Sequence, residues 1–205
     1  MKNVICGSVA ILLAALIAAA MPTEAEARIY EDTLRLHILA ASDSEEDQAL
    51  KLFIRDKLLS KYGDLLSGSE SLDAAADAVY SLIPEIESDC NLWINEAGFD
   101  YLAVAELCNE WYDTRVYEEF TLPKGEYLSL KIKLGEASGK NWWCVMFPPL
   151  CLDVATEKGS TSEKGPQTSA SQSYSKEESA LISNKKYNIK FKLLELFSDA
   201  FFKKG

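Results

Sequence analysis

The sequence contains little of what metal sites and nucleic-acid-binding proteins usually need. One histidine among 205 residues excludes metal sites built from several histidines and allows at most one Ser-His-Asp triad. Acidic residues outnumber basic residues by 32 to 21, and the formal net charge is -11. Because there is no basic excess, we expect no binding to nucleic acid and no direct binding to an anionic membrane. We also expect no metal and no cofactor.

The first 27 residues have the features of an export signal. Lys2 precedes an apolar run from Val4 to Met21, which Pro22 ends, and Ala25-Glu26-Ala27 provides the small-x-small pattern of a signal peptidase site. We therefore predict a signal peptide over residues 1–27, with cleavage after Ala27. An uncleaved anchor is the alternative, because about 18 apolar residues are near the lower limit for crossing a bilayer.

Four cysteines would remain after cleavage, at positions 90, 108, 144 and 151. Outside the cytoplasm they can oxidise, and Cys144 and Cys151 form the best local pair. A disulfide between them requires the chain to reverse, since an extended segment would hold their Cα atoms more than about 20 Å apart. Pro148-Pro149 lies where that reversal is expected. Two buried free thiols are the alternative.

The apolar pattern changes from helical spacing to alternation along the chain. We predict three helices: one from the N-cap Ser44 to about Leu66, one from the cap Ser71 that Pro84 interrupts, and one from Pro84 to Gly98. We predict five strands in this region, over Leu34–Ala40, Tyr101–Cys108, Arg115–Leu122, Leu128–Leu134 and Asn141–Phe147. The strand Leu128–Leu134 alternates most regularly between apolar and polar residues, which predicts one buried face and one solvent-exposed face. The predicted fold is α+β: an antiparallel sheet of about five strands with two to three helices packed on one face.

Composition divides the rest of the chain. We assign an α+β domain to residues 28–155 and a flexible Ser/Thr-rich linker to residues 156–183. Residues 184–205 are expected to form a strand, where Tyr187, Ile189, Phe191 and Leu193 alternate, followed by an amphipathic helix. This C-terminal segment either packs back on the domain or binds a surface.

Several segments resemble the stage II sporulation protein R family. The resemblance begins at Arg35–Leu59, resumes at Leu122–Leu130 and peaks at Leu134–Cys151, where Asn-Trp-Trp-Cys-Val-Met-Phe-Pro-Pro-Leu-Cys is long and unusual in composition. It covers roughly residues 28–153. Two departures occur: Ala41 stands where the family usually has Asn, and the segment Tyr112–Tyr117 lacks the family's proline.

The resemblance implies a signalling function without catalysis. Family members are made in the forespore of an endospore-forming bacterium and are secreted into the space between the forespore and mother-cell membranes. There they activate a membrane-embedded aspartic-type protease of the mother cell, which processes a sporulation pro-sigma factor. The extracytoplasmic part of that protease is the expected partner, and this chain is not expected to be an enzyme.

We predict a receptor-binding surface at the strand and turn near the last cysteines, with a second contribution from the first strand and the loop after it. The first group comprises Asn141, Trp142, Trp143, Phe147, Pro148 and Pro149, and the second comprises Arg35, His37, Asp43 and Asp47. Two other functions stay open. A secreted hydrolase would use a triad of His37, Asp43 and a serine. A wall- or sugar-binding module would use the two tryptophans as a stacking platform.

Overall fold

A computed structural model describes residues 24–67, 69–117, 120–149 and 174–183, with the isolated positions Gly7 and Ala14. Most of the predicted export signal, residues 156–173 of the predicted linker and the C-terminal segment 184–205 lie outside the described residues. Among the described helices, none combines the length and the apolar composition needed to cross a membrane.

The described strands form one four-stranded sheet and one short ribbon. The strands are β1 (Leu34–Leu39), β2 (Ala103–Tyr112), β3 (Arg115–Val116), β4 (Thr121–Leu122), β5 (Gly125–Leu134) and β6 (Asn141–Phe147). The main sheet has the order β2-β5-β1-β6, and β3 pairs with β4 to form the ribbon. Pairs β2–β5 and β1–β6 are antiparallel, whereas the central pair β1–β5 is parallel. The α+β class is thus confirmed, with four strands in the main sheet and a parallel pair at its centre.

The two long helices are α2 (Glu45–Ser67) and α3 (Leu72–Glu96). Both predicted caps are confirmed, because Ser44 Oγ accepts a hydrogen bond from Asp47 N and Ser71 Oγ accepts one from Ala74 N. Gly98, just beyond α3, has a φ of 87°, a conformation that glycine adopts without a Cβ clash.

Pro84 does not divide α3, so the prediction of two separate helices is wrong. Proline removes the hydrogen bond to the carbonyl four residues earlier, which here belongs to Tyr80, a residue that is 71% exposed. Water can therefore bind this carbonyl. The buried residues of α3 follow a continuous helical spacing on both sides of Pro84, and burying that single stripe favours one helix: Ala75, Val79, Ile86, Cys90, Trp93 and Ile94.

One face of the sheet, called here the helix face, packs against α2 and α3. Its fully or almost fully buried residues include Leu36 and Ile38 of β1 and Leu130 and Ile132 of β5. Register places these residues opposite one another, Leu36 beside Leu130 and Ile38 beside Ile132. The core of the domain is therefore an apolar layer between the central parallel pair and the two long helices.

The opposite face, called here the second face, differs from the prediction that it would be solvent-exposed. Ser129 of β5 has no exposed surface, and Lys131 is only partly exposed. The segment with the ribbon β3–β4 contacts this face, since Arg115 stacks on Trp143 and Tyr117 bonds to Arg35. The predicted strand Arg115–Leu122 is correspondingly wrong in extent, because β2 continues to Tyr112 and only two short pairs remain for the ribbon.

Two short helices pack together near the start of β5. Helix α1 (Glu24–Glu31) spans the predicted cleavage position after Ala27, which stays a prediction, and its Ile29 is fully buried. Helix α4 (Lys176–Ile182) contacts α1, and Arg28 forms an ion pair with Glu177.

Residues 174–183 therefore do not form the flexible linker that their composition predicted. Tyr174 and Ile182 are 4% and 1% exposed, and the Tyr174 hydroxyl is 2.8 Å from Thr33 Oγ1. Burial of these two side chains and polar contacts with residues 28–33 hold the segment, so tertiary packing outweighs local composition here.

Candidate functional site

The second face carries a group of charged and aromatic side chains, called here the basic–aromatic cluster. It consists of Arg35 and His37 from β1, Glu110 and Tyr112 from β2, Trp143 from β6, and Arg115 from β3. Alternation along each strand explains the placement, because residues two apart share a face of the sheet. The register brings His37 beside Trp143 on β6, and Arg35 beside Ser129 on β5.

Arg35 is the most deeply buried member of the cluster, with 0% of its surface exposed. Its guanidinium lies over the rings of Tyr112, at 3.9 Å, and Tyr127, at 5.1 Å. Its Nη2 donates a 2.8 Å hydrogen bond to the Tyr117 hydroxyl, while Nε and Nη1 have no hydrogen-bond partner among the described residues. Arg35 is thus held by cation–π contacts and one hydrogen bond.

His37 and Lys131 both bind the carboxylate of Glu110. His37 Nδ1 lies 2.9 Å from Glu110 Oε2, and Lys131 Nζ lies 2.6 Å from Oε1. Burial opposes ionisation of this carboxyl, but the hydrogen bonds from Lys131 and His37 outweigh burial and lower the pKa of Glu110. The hydrogen bond between Lys131 and Glu110 also raises the pKa of Lys131. The charged forms of Glu110 and Lys131 therefore stabilise each other.

The geometry around His37 does not assemble the triad considered from the sequence. Its carboxylate partner is Glu110, whereas Asp43 accepts a hydrogen bond from the Lys140 backbone instead. A triad needs a nucleophile within about 3 Å of the second ring nitrogen, but His37 Nε2 has no hydrogen-bond partner in the described part of the chain. Within the described residues, the hydrolase interpretation therefore lacks the contact between histidine and nucleophile.

The two tryptophans face opposite sides of β6, because adjacent residues of a strand point to opposite faces of the sheet. Trp143 lies on the second face, where the Arg115 guanidinium is 3.7 Å from its ring centroid and the His37 ring stacks at 5.6 Å. Trp142 lies on the helix face, with the Arg55 guanidinium 5.2 Å from its ring. Both rings are half-buried and already stacked, so they do not form one open platform for a sugar.

Asp43 and Asp47 belong to a different region, the loop that follows β1. Asp47 accepts hydrogen bonds from Ser42 Oγ at 2.5 Å and from the Tyr101 hydroxyl at 2.6 Å, and these bonds lower the pKa of Asp47. Asp43 accepts a 2.7 Å bond from Lys140 N. The two aspartates tie this loop to its neighbours.

Gly139 completes the contact between the loop after β1 and the loop before β6. A Cβ atom at Gly139 would lie 2.1 Å from the Ser42 carbonyl oxygen, which is backbone that cannot move aside. Gly139 N donates a 3.0 Å hydrogen bond to Ala40 O, and Ser138 Oγ donates one to Ala41 O. These contacts pack the two loops closely against each other.

The turn after β6 begins at a cis Phe147–Pro148 peptide bond, with Pro148 buried and Pro149 partly exposed. Cys144 is disulfide-bonded, whereas Cys90 and Cys108 are free thiols. Cys151 lies outside the described residues, so its pairing with Cys144 stays a prediction. Burial raises the pKa of the Cys90 thiol to about 12.

The residues predicted to contact a receptor do not form a single patch. Arg35, His37, Asn141 and Trp143 share the second face, Trp142 belongs to the helix face, and Asp43 and Asp47 lie at the loop end of β1. Arg35 is fully buried and His37 is 8% exposed, so neither offers an open surface in this structure. Their role in receptor binding stays a prediction.

Sequence reasoning did not identify Glu110, Tyr112 and Arg115 as members of the cluster. A usable signal was present for one of them. Glu106 and Glu110, four positions apart, share one face of β2, and Lys131 and Lys133 share one face of β5; opposite charges on one face favour pairing of two strands. The ion pairs Glu110–Lys131 and Glu106–Lys133, both at 2.6 Å, match that pattern.

Two comparisons with known proteins match this chain to the same protein family. The family described as Stage II sporulation protein R (spore_II_R) matches residues 30–157. Stage II sporulation protein R of Bacillus subtilis (strain 168) is 32% identical over 145 residues, which cover 70% of this chain and 65% of that protein. The chain therefore spans about two thirds of the length of this relative. No solved structure matches the chain.

Proposed function

The chain belongs to the stage II sporulation protein R family and so has a role in sporulation, and from this premise we propose that it is a secreted signal between two cells. In this proposal the forespore exports the chain into the space between its own membrane and that of the mother cell. The chain there activates a membrane-embedded aspartic-type protease, which processes a sporulation pro-sigma factor. The observation that carries the proposal is the family match over residues 30–157.

The side-chain geometry agrees better with a binding protein than with a hydrolase. His37 is bound to Glu110, and its second ring nitrogen has no nucleophile within hydrogen-bond distance among the described residues. The acidic charge of -11 suits a protein partner with a basic surface more than bare anionic lipid. In the proposed mechanism, binding of the folded domain shifts the receptor toward its active arrangement.

The first experiment reconstitutes the signal outside the cell. Purified chain is mixed with membranes that carry the sporulation protease and the pro-sigma factor of the same organism, and processing is followed by immunoblot. Processing is expected only when chain and receptor are both present. If the purified chain processes the pro-sigma factor without the receptor, or if receptor membranes respond equally to an unrelated acidic protein, the proposal is wrong.

A matched variant separates signalling from catalysis by this chain. In His37→Asn the amide nitrogen can still donate to Glu110, but the second ring nitrogen is lost. A hydrolase that uses this nitrogen as its base would lose about a thousandfold in rate. A signal that acts by binding should lose less than about tenfold, because only 8% of His37 is exposed for contact with a receptor. The readout is the initial rate of pro-sigma processing by receptor membranes.

A test in cells addresses export. A strain that lacks its own copy of this protein receives either the full chain or the chain without residues 1–27, each expressed only in the forespore. Only the exported form is expected to restore pro-sigma processing and spore formation. Restoration by the form without residues 1–27 would contradict a signal that acts between the two membranes.

A further inference from the structure

The outer edge of β2 is closed along only half of its length. β2 lies at one edge of the main sheet, and α3 covers the first part of that edge. Asn91 Oδ1 accepts a 2.7 Å hydrogen bond from Ala103 N, and Glu87 Oε2 accepts a 2.9 Å bond from Ala105 N. Both amides therefore point away from β5, toward the open side of the strand.

Further along β2, the same edge has backbone amides that find no hydrogen-bond acceptor in the described part of the chain. Because the backbone of a strand repeats every two residues, the amides of Leu107, Asn109 and Trp111 point in the same outward direction. No described residue accepts a hydrogen bond from them. The next residue of α3 in this series, one turn before Glu87, is Ile83, whose side chain cannot accept one. The edge over residues 107–111 is thus available to another strand.

The side chains along this open edge differ in character between the two faces of the sheet. Trp111 is 69% exposed and Asn109 is exposed, on the side of the sheet that faces α3. On the other side lies Glu106, whose Oε1 pairs with Lys133 while no described cation pairs with its Oε2. A strand that fits here needs apolar residues on one face and basic residues on the other.

The C-terminal segment of the chain has this pattern. Tyr187, Ile189 and Phe191 alternate with Lys186, Lys190 and Lys192. Residues 184–205 contain six lysines and two acidic residues, which gives this segment a net charge of +4. Because the whole chain has a formal net charge of -11, residues 1–183 together carry -15. The segment is therefore the basic counterpart of an acidic domain.

The point where the described structure ends is compatible with this pairing. Helix α4 ends at Ile182 and packs on α1. Tyr30 of α1 donates a hydrogen bond to Lys124 O, next to Gly125, which is the register partner of Tyr112 at the end of β2. Helix α4 therefore packs at the end of the sheet where β2 finishes at Tyr112, and residues 184–187 add up to about 13 Å of extended chain beyond it.

We propose that residues 187–191 of this chain pair with Leu107–Trp111 as an additional antiparallel strand at the outer edge of β2. The apolar residues then lie beside Trp111 on the α3 side, and Lys190 and Lys192 lie toward Glu106. The segment closes the sheet edge and gives the domain five strands in one sheet. This inference does not depend on the proposed signalling function.

Hydrogen exchange of the full chain tests the pairing from the side of the tail. The amides of Leu107, Asn109 and Trp111 are expected to be protected. Lys190→Glu with Lys192→Glu should raise their exchange rates about tenfold or more, because like charges would face Glu106. Lys203→Glu with Lys204→Glu makes the same change in net charge outside the pairing segment and should leave these rates unchanged.

A second test alters the edge itself. Asn109→Pro removes one outward donor without removing a bond to β5, whereas Asn109→Ala keeps the donor. Trypsin should cleave after Lys186, Lys190 and Lys192 faster in the proline variant than in the alanine variant. Equal cleavage rates in the two variants would contradict the proposal.

The same measurements identify other occupants of the edge. Unprotected amides at residues 107, 109 and 111 in the full chain would overturn the proposal and leave the edge open for a partner. Protection that disappears on dilution, together with a dimer by light scattering, would also overturn it and assign the tail to a second copy of the chain. Protection that is independent of concentration and lost in the charge-reversal variant supports the intramolecular strand.

Discussion

The two faces of the main sheet come from alternate residues of the same strands, but they are stabilised differently. On the helix face, Leu36 and Ile38 pack against Leu130, Ile132 and the long helices with no polar atom to satisfy. On the second face, His37 lies between Leu36 and Ile38 in the sequence and is only 8% exposed, but its side chain is polar. One face needs only shape and apolar area, whereas the other also needs hydrogen-bond partners.

The difference shows that a polar residue in an alternating strand is not evidence of exposure. Ser129 and Arg35 both have 0% exposed surface, in positions that the pattern alone would place in solvent. Ser129 shares a 2.7 Å hydrogen bond with the Tyr112 hydroxyl, whereas Arg35 leaves two nitrogens without a partner among the described residues. We therefore expect the helix face to contribute more to stability than the second face.

The largest expected effect comes from truncation on the helix face. Ile38→Ala should lower the free energy of unfolding by about 3 kcal/mol, because it removes apolar contacts and leaves a cavity at a site with no exposed surface. Urea unfolding followed by circular dichroism measures this change. Val104→Ala removes a side chain that is 49% exposed, so it should change the same quantity by less than about 0.5 kcal/mol. Similar losses in both variants would contradict the assignment of the core.

A smaller effect is expected from the ion-paired carboxylate of the second face. Glu110→Gln should cost about 1.5 kcal/mol at pH 7, since it weakens charge-assisted hydrogen bonds from Lys131 and His37. The pKa of Glu110 is lowered in the folded protein from its ordinary 4.5. Its stabilising contribution is thus present above about pH 4.5 and is lost as the pH falls through the folded-state pKa.

The pH series provides the decisive measurement for Glu110. The difference in unfolding free energy between the original chain and Glu110→Gln should shrink as the pH is lowered below about 4.5. Glu106→Gln is the matched control, because its ion pair with Lys133 is more exposed and should contribute less. A constant difference between the original chain and Glu110→Gln across this range would mean that ionisation of Glu110 does not stabilise the fold.

Local patterns were sufficient to predict the elements that carry their own signals. The helix from Ser44 and the cap at Ser71 follow from residue types next to an apolar stripe, and the strand ending at Leu134 follows from alternation. The opposite orientation of Trp142 and Trp143 follows from strand geometry alone. The α+β class could be predicted because the helical and alternating segments are separated along the chain.

Pairings over long sequence distances could not be predicted in this way. The parallel register of β1 with β5 joins residues about 90 positions apart, such as Leu36 and Leu130, and no local pattern specifies it. Helix α4 is stabilised by the contact of Tyr174 with Thr33, across 141 positions, rather than by its own composition. The burial of Arg35 depends on Tyr117 and the ribbon, whose bounds the sequence did not give. These features depend on packing between elements, which a single sequence does not display.

The smallest expected effect tests whether the buried guanidinium of the second face is needed for stability. Arg35→Met keeps a long, flexible side chain between the rings of Tyr112 and Tyr127 but removes the charge and the hydrogen bond to Tyr117. Since the charge has no described carboxylate partner, its removal also removes a desolvation cost. The free energy of unfolding should therefore change by less than about 1 kcal/mol. Arg35→Ala, which leaves a cavity as well, should cost about 2 kcal/mol more than Arg35→Met. A loss in Arg35→Met as large as that in Ile38→Ala would show that the charge of Arg35 is compensated, and the stability difference between the two faces would no longer hold.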